Sequence, residues 1–239
     1  MEQINKIKSI SIWVFIVPFI AVNACLVITT QFHELNLIAD QYKISYPFPY
    51  IDGGVSISRT ARYFPTYLIF KPAMFLTSYL LIKYWIYNKE IVIFFDKEHK
   101  YKNKILFFGI ASAIALTIHS IFLGVKFDND FYKLFRRVIM LTFIIFEITA
   151  QAYLVAAFYS FRNKLDTYIN ATFLNIKIIL VSTLIIVAVI SIPIISLPGD
   201  EFFGFNLRFL KHSLEWNYFL GVILFYLLSF FLWKKNYRS

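Results

Sequence analysis

Sulfur chemistry is nearly absent from this chain. One cysteine, Cys25, stands among 239 residues, which excludes an intramolecular disulfide and a four-cysteine metal site. Glycine is scarce at seven residues, so helix packing falls to Ala, Ser, Thr and interlocking bulky side chains. Charge is scarce as well. Charged residues are 16% of the chain against 59% hydrophobic, more apolar surface than a soluble domain of this length can hide. No stretch alternates apolar and polar residues in the ~10-residue segments of a transmembrane β-barrel. There is no internal repeat and no low-complexity tract. No small-x-small cleavage site follows the first apolar run, which at about 22 residues is long for a signal peptide. That run is expected to remain as a signal-anchor span.

What fills the chain instead is six long apolar runs: Ser9–Thr30, Tyr67–Tyr87, Ile105–Val125, Val138–Phe161, Phe173–Leu197 and Asn217–Trp233. A hydrocarbon core of ~30 Å takes about 20 helical residues to cross. Backbone groups cannot go unpaired in lipid, so runs of this length are helices. The expected fold is all-α: one polytopic six-helix transmembrane domain over residues 1–239, with a long first extracytoplasmic loop. The 28 Phe, 16 Tyr and 4 Trp suit both membrane interfaces and helix packing.

The net charge of +10 does not point to nucleic acid, because the basic residues sit in short segments beside apolar runs, where they set topology and meet anionic head groups. Six spans put both termini on one side. That side holds the larger share of the 24 basic residues, so both termini are expected in the cytoplasm. Lys83 and Lys177 lie near inner span ends and are expected to snorkel there. The sequon Asn170-Ala171-Thr172 falls inside and is expected to be unused. The apolar IVIFF stretch, residues 91–95, is too short to cross; it extends the second helix or lies in the interface. The first outer loop, residues 31–66, is long enough to suggest function. Its prolines Pro47 and Pro49 force extended backbone, and Asp52-Gly53-Gly54 supplies a turn that lets the loop cover the bundle.

Ionisable residues at membrane depth are costly, which makes each a functional candidate. They converge on the outer half. His119 is about 9 Å below the end of its run by helical rise, and Glu147 roughly 14 Å deep in the fourth. Arg136, Glu147 and Gln151 share one helix face, a polar stripe that must meet other helices or a cleft. His212 and Glu215 open the sixth helix. A metal site built from His119, His212, Glu215 or Asp128 is one version, carried by a weak His-x-x-Glu spacing; no metal or other cofactor is expected. A Ser/His hydrolase using Ser120 or Ser213 is another, without a nucleophile elbow. Acid–base chemistry by His119 and Glu147, with an arginine on a phosphate, is the least contrived. The structural alternative is that these groups are hydrogen-bonded members of the bundle core.

Three stretches carry a family resemblance: YPFPYIDGG (Tyr46–Gly54), DFYKLFRRVIMLTFIIFE (Asp130–Glu147) and HSLEWNYFLGVILFYLLSFFLW (His212–Trp233). In this order and spacing the chain resembles the DRAM/Frag/Sfk family of six-span membrane proteins. That family includes a Golgi protein of GPI-anchor lipid remodelling and the N-terminal part of a cell-wall/ceramide-anchor protein. Here the first motif lacks the family's Ser and Thr, and the last span ends in Trp233-Lys234. The resemblance implies lipid handling at the luminal or outer leaflet, on a GPI-anchor-like glycolipid, in Golgi or endomembrane. The expected catalytic candidates are His119, Glu147, His212 and Glu215; the expected substrate-binding candidates are Asp52, Arg59, Arg62, Arg136 and Arg137. A non-catalytic membrane adaptor or regulator is the competing reading. A solute transporter ranks below both, since the inner halves of the spans offer little beyond Asn175 and Lys177.

Overall fold

A computed structural model describes residues 2–31, 48–125, 130–196, 201–202 and 205–234. Six long helices dominate: α1 (Glu2–Gln31), α3 (Thr66–Phe95), α4 (Lys102–Phe122), α5 (Asp130–Ser160), α7 (Ala171–Ser196) and α8 (Leu207–Leu232). Two one-turn helices, α2 (Ile57–Thr60) and α6 (Arg162–Leu165), sit in the connections. A ribbon of two-residue strands, β1 (Glu201–Phe202) and β2 (Phe205–Asn206), pairs antiparallel ahead of α8.

Five of the long helices are apolar enough on their own to cross a membrane, so the chain is an all-α, multi-pass integral membrane protein. The sixth expected span, α3, is 30 residues long but is interrupted by Lys71, Lys83, Lys89 and Glu90 and falls outside those five. It runs on through the IVIFF stretch to Phe95, the helix extension of the two alternatives. α5 and α8 begin well before their apolar runs. Asn206 explains the second case: its side-chain oxygen accepts the N–H groups of Arg208 and Phe209, capping the charged first turn.

The helices form a closed ring. α1 packs on α3, α3 on α4, α4 on α5, α5 on α7, α7 on α8, and α8 returns to α1. Both ends of the described chain meet at one pole, where Lys8 Nζ donates to the Trp233 carbonyl at 3.0 Å. This is the terminal end; the opposite pole, carrying residues 48–66, is the loop end. Two glycines permit close helix approach. A Cβ at Gly109 would lie 2.2 Å from the Trp85 ring, and one at Gly221 would lie 2.8 Å from Leu184. Outward residues such as Ile186, Val189 and Ile190 on α7 are exposed and apolar, as a lipid-facing surface must be.

One expectation fails inside the ring. Lys177 does not snorkel; it is 1% exposed. Its Nζ donates to Ser229 Oγ at 2.7 Å and lies 3.7 Å from the centre of the Phe225 ring. Ser229 also bonds the Tyr84 hydroxyl at 2.9 Å, and its own proton goes to the Phe225 carbonyl. The cause is rotational. Depth placed Lys177 within reach of the interface, but the helix face it occupies looks at α8. The terminal half of the bundle is therefore less plain than its sequence suggests.

Candidate functional site

Inside the ring, toward the loop end, lies a slot with a cavity volume of about 100 Å³. Five of the six long helices wall it, α7 alone standing apart, and Ile57 and Ser58 of α2 close one side. The wall is mainly apolar, with Met74, Leu116, Phe143 and Val222 among its members. Its ionisable members are His119, Glu147, Glu215, Tyr218 and Tyr226. Three of the four expected catalytic residues thus share one cavity.

Glu147 is the hub. It is fully buried, as is Gln151 one turn further along α5. Glu147 Oε1 accepts hydrogen bonds from the Tyr226 hydroxyl of α8 and from Gln151 Nε2, the latter at 3.0 Å. Gln151 Nε2 also reaches the Val222 carbonyl at 3.2 Å. Oε2 lies 2.7 Å from Ser112 Oγ on α4, and that hydroxyl is also 2.8 Å from the Gly109 carbonyl. The hydroxyl can share its one proton between the two acceptors in a three-centre bond. Two separate linear bonds form when Oε2 carries a proton and donates it to Ser112. The stripe of Arg136, Glu147 and Gln151 does face neighbouring helices, as its spacing requires.

His119 projects from the last turn of α4 into the wall of the slot. Arg136 is half-buried on α5, one turn before the slot residue Met140, and lies within the electrostatic reach of both His119 and Arg62. Tyr132 holds the Arg136 guanidinium over its ring at 5.9 Å. Arg62 follows α2 and packs its chain on Gly124. Arg59 is half-exposed and Arg137 exposed, and none of the four arginines lines the slot itself.

The remaining expected residues build a clamp between the turn at residues 48–55 and α8. Both carboxylate oxygens of Asp52 are taken by backbone N–H groups of its own turn, from Gly54 at 2.7 Å and Phe48 at 3.2 Å. Gly53 has φ +62, and a Cβ there would lie 1.8 Å from the Phe209 carbonyl oxygen, so the turn meets α8 where only glycine fits. His212 Nδ1 donates to the Gly53 carbonyl at 2.9 Å, and Trp216 Nε1 donates to Val55 at 2.8 Å. Asn217 donates to the Tyr50 carbonyl at 2.7 Å, while the Tyr50 hydroxyl reaches Asn23 of α1 at 3.1 Å. Glu215 faces the backbone N–H groups of Ile57 and Ser58, the free donors that open α2. Described loop residues therefore brace α1, α2 and α8 beside the slot. Tyr46 and Pro47 of the first-loop motif lie outside the described residues.

Other chemistries find less support. Among the described residues, no three His, Cys, Asp or Glu side chains come together to hold a metal; Asp128, one expected ligand, lies outside those residues. Ser120 and Ser213 bond backbone carbonyls, of Leu116 and Tyr50. A Ser–His contact occurs instead at the terminal end, where His99 lies 3.0 Å from Ser160 Oγ. Its polarity is wrong for a nucleophile. The Tyr101 N–H donates to Nδ1, so Nε2 carries the proton and donates to Ser160, which passes its own to Ala157.

Sequence reasoning missed Ser112, Tyr218 and Tyr226 as site members. A lone serine in an apolar helix has no periodic signature, Tyr218 near a span end reads as an interface anchor, and nothing local to mid-span Tyr226 shows which helix it faces. No family model, curated protein or solved structure matches this chain.

Proposed function

We propose that this membrane protein handles or remodels lipid, taking an acyl chain into the slot beside Glu147 and His119. The observation that carries the reading is the slot itself, an apolar cavity inside a helix ring with ionisable groups on its wall. The resemblance to the DRAM/Frag/Sfk family supports a GPI-anchor-like glycolipid as substrate and a Golgi or endomembrane location. The distribution of basic residues supports cytoplasmic termini, with the loop end and the slot toward the lumen or outer face. In this reading His119 and Glu147 move protons, with Glu215 and His212 shaping the site from α8.

A photoactivatable diazirine on the acyl chain of a phospholipid, irradiated with the protein in vesicles, tests the slot. Adducts on Met140, Phe143 or Val222 are expected, and Met140→Trp is expected to remove them. Adducts confined to outward residues such as Ile186 and Val189 would refute it. Lipidomic comparison of cells with and without the protein then separates remodelling from mere binding, and an unmodified Asn170 sequon in a glycosylating host checks the orientation.

One observation favours a second reading, a non-catalytic adaptor or regulator. Asp52, Glu147, His212 and Glu215 all have partners within the chain, as structural groups do. That reading expects His119→Ala and Glu147→Gln to leave cellular lipid composition and function unchanged.

A further inference from the structure

Among the described residues, five buried side-chain atoms lack a hydrogen-bond partner: Arg62 Nε, Trp85 Nε1, His119 Nδ1, Arg136 Nε and Gln151 Oε1. Trp85 and Gln151 border the Glu147 network. The other three are nitrogens toward the loop end: His119 lines the slot, while Arg62 and Arg136 lie outside its lining. Arg62 Nε and Arg136 Nε can only donate, and His119 Nδ1 donates in the tautomer that carries its proton there, so one accepting partner would satisfy all three.

Charge points the same way. Arg62 and Arg136 lie within each other's field, and Arg136 also acts on His119. Two guanidinium groups held together repel unless an anion lies between them. None is supplied by the described residues, whose ion pairs are Lys6–Glu2 and Lys102–Glu98, both toward the terminal end. Neighbouring groups are committed elsewhere. The Tyr132 hydroxyl lies at 2.8 Å from the Phe122 carbonyl and 3.2 Å from that of Val125. Glu215 faces the start of α2.

We propose that Arg62, Arg136 and His119 seat one oxyanion, a phosphate or carboxylate, carried as the head group of a lipid whose chain enters the slot. This inference rests on the slot being a lipid site. Continuity supports it: His119 is on the slot wall, and Arg136 stands one turn from Met140, so head and chain positions adjoin. Guanidinium forks match the geometry of phosphate and carboxylate oxygens, and the histidine adds a donor on the slot side.

The test uses the purified full-length protein in uncharged detergent. Three ligands are titrated: fluorescent phosphatidic acid, diacylglycerol with the same labelled chains, and unlabelled glycerol phosphate as competitor. Phosphatidic acid is expected to bind about tenfold or more tightly than diacylglycerol, the weight of one charge-assisted hydrogen bond. Arg62→Gln and Arg136→Gln are expected to erase that preference while diacylglycerol binding persists. Arg136→Lys, which keeps the charge, is expected to retain part of it. Diacylglycerol binding without any preference, or a preference unchanged in both glutamine variants, overturns the head-group seat and leaves the slot reading standing. Full displacement of the lipid by glycerol phosphate at equal concentration shows that a free anion suffices and overturns the lipid version. Binding of neither lipid sinks the slot reading, and this inference with it.

Discussion

Tyr226 donates to the carboxyl of Glu147 across 79 residues of sequence, tying α8 to α5 at the centre of the ring. Gln151 and Ser112 complete the arrangement from α5 and α4. Removing one member of a buried polar network strands the others, and here only Gln151 Oε1 among the carboxyl's three partners already lacks a bond of its own.

Two substitutions of Glu147 separate structure from chemistry. In Glu147→Gln the amide oxygen can accept from Tyr226 and Gln151 while the amide nitrogen donates to Ser112. Stability is expected to change by about 1 kcal/mol or less. Glu147→Ala leaves a void and strands the Tyr226 hydroxyl, with an expected loss of about 3 kcal/mol. Cys25 is fully buried, so a fluorogenic thiol reagent reads unfolding of both variants directly. An alanine variant as stable as the glutamine variant would count against the network.

Gly53→Ala is expected to release the first-loop turn from α8. Positive φ is strained for alanine, and the new methyl meets the Phe209 carbonyl, together about 2 kcal/mol or more. Hydrogen exchange over residues 48–56 should quicken while the Glu147 network keeps its protection. Unchanged exchange in that turn would mean the clamp is not what holds it.

His99 makes stability depend on pH. Burial lowers its pKa from the ordinary 6.5, and its Nδ1 accepts the Tyr101 N–H, so the folded state favours the neutral ring. The unfolded chain then binds the proton more readily than the folded one. The His99 contribution is complete above pH 6.5 and is lost as pH falls through the lowered folded value. Midpoints of thermal unfolding should decline over that acidic range, and His99→Gln should flatten the decline. An equal slope in both proteins would assign it to another group.

Lys177→Met is expected to hold or raise stability. Among the described residues no carboxylate pairs with the buried amine, and a flexible apolar chain of similar length fills the same space. A midpoint lowered by the equivalent of about 1 kcal/mol would show that the bond to Ser229 is a net gain.

Much of this architecture is legible in the chain because lipid imposes one rule on it: long apolar runs become helices. Glu147 was recoverable for the same reason, since a carboxylate that deep must turn inward, and its eleven-residue offset from Arg136 fixes the face. Partners were not recoverable. Nothing local says that Tyr226 rather than lipid faces Glu147, or that Ser229 waits opposite Lys177. His212 and Glu215 look like a ligand pair because side-chain spacing along one helix is visible in sequence. The backbone they meet, at Gly53 and at the start of α2, belongs to a loop whose path spacing cannot supply. Arg59, Arg62, Arg136 and Arg137 read alike by composition; only rotation about α5 and the turn after α2 separates Arg62 and Arg136 from the other two.

The closed ring has a consequence for biogenesis. Most of its contacts join helices that follow one another along the chain, but the seam between α1 and α8 joins two helices with every other long helix between them in sequence. Val14 and Val22 on one wall of the slot therefore wait for Val222 and Tyr226 on the other through the synthesis of every intervening span. A nascent chain arrested before α8 can thread the bilayer and still have no enclosed slot.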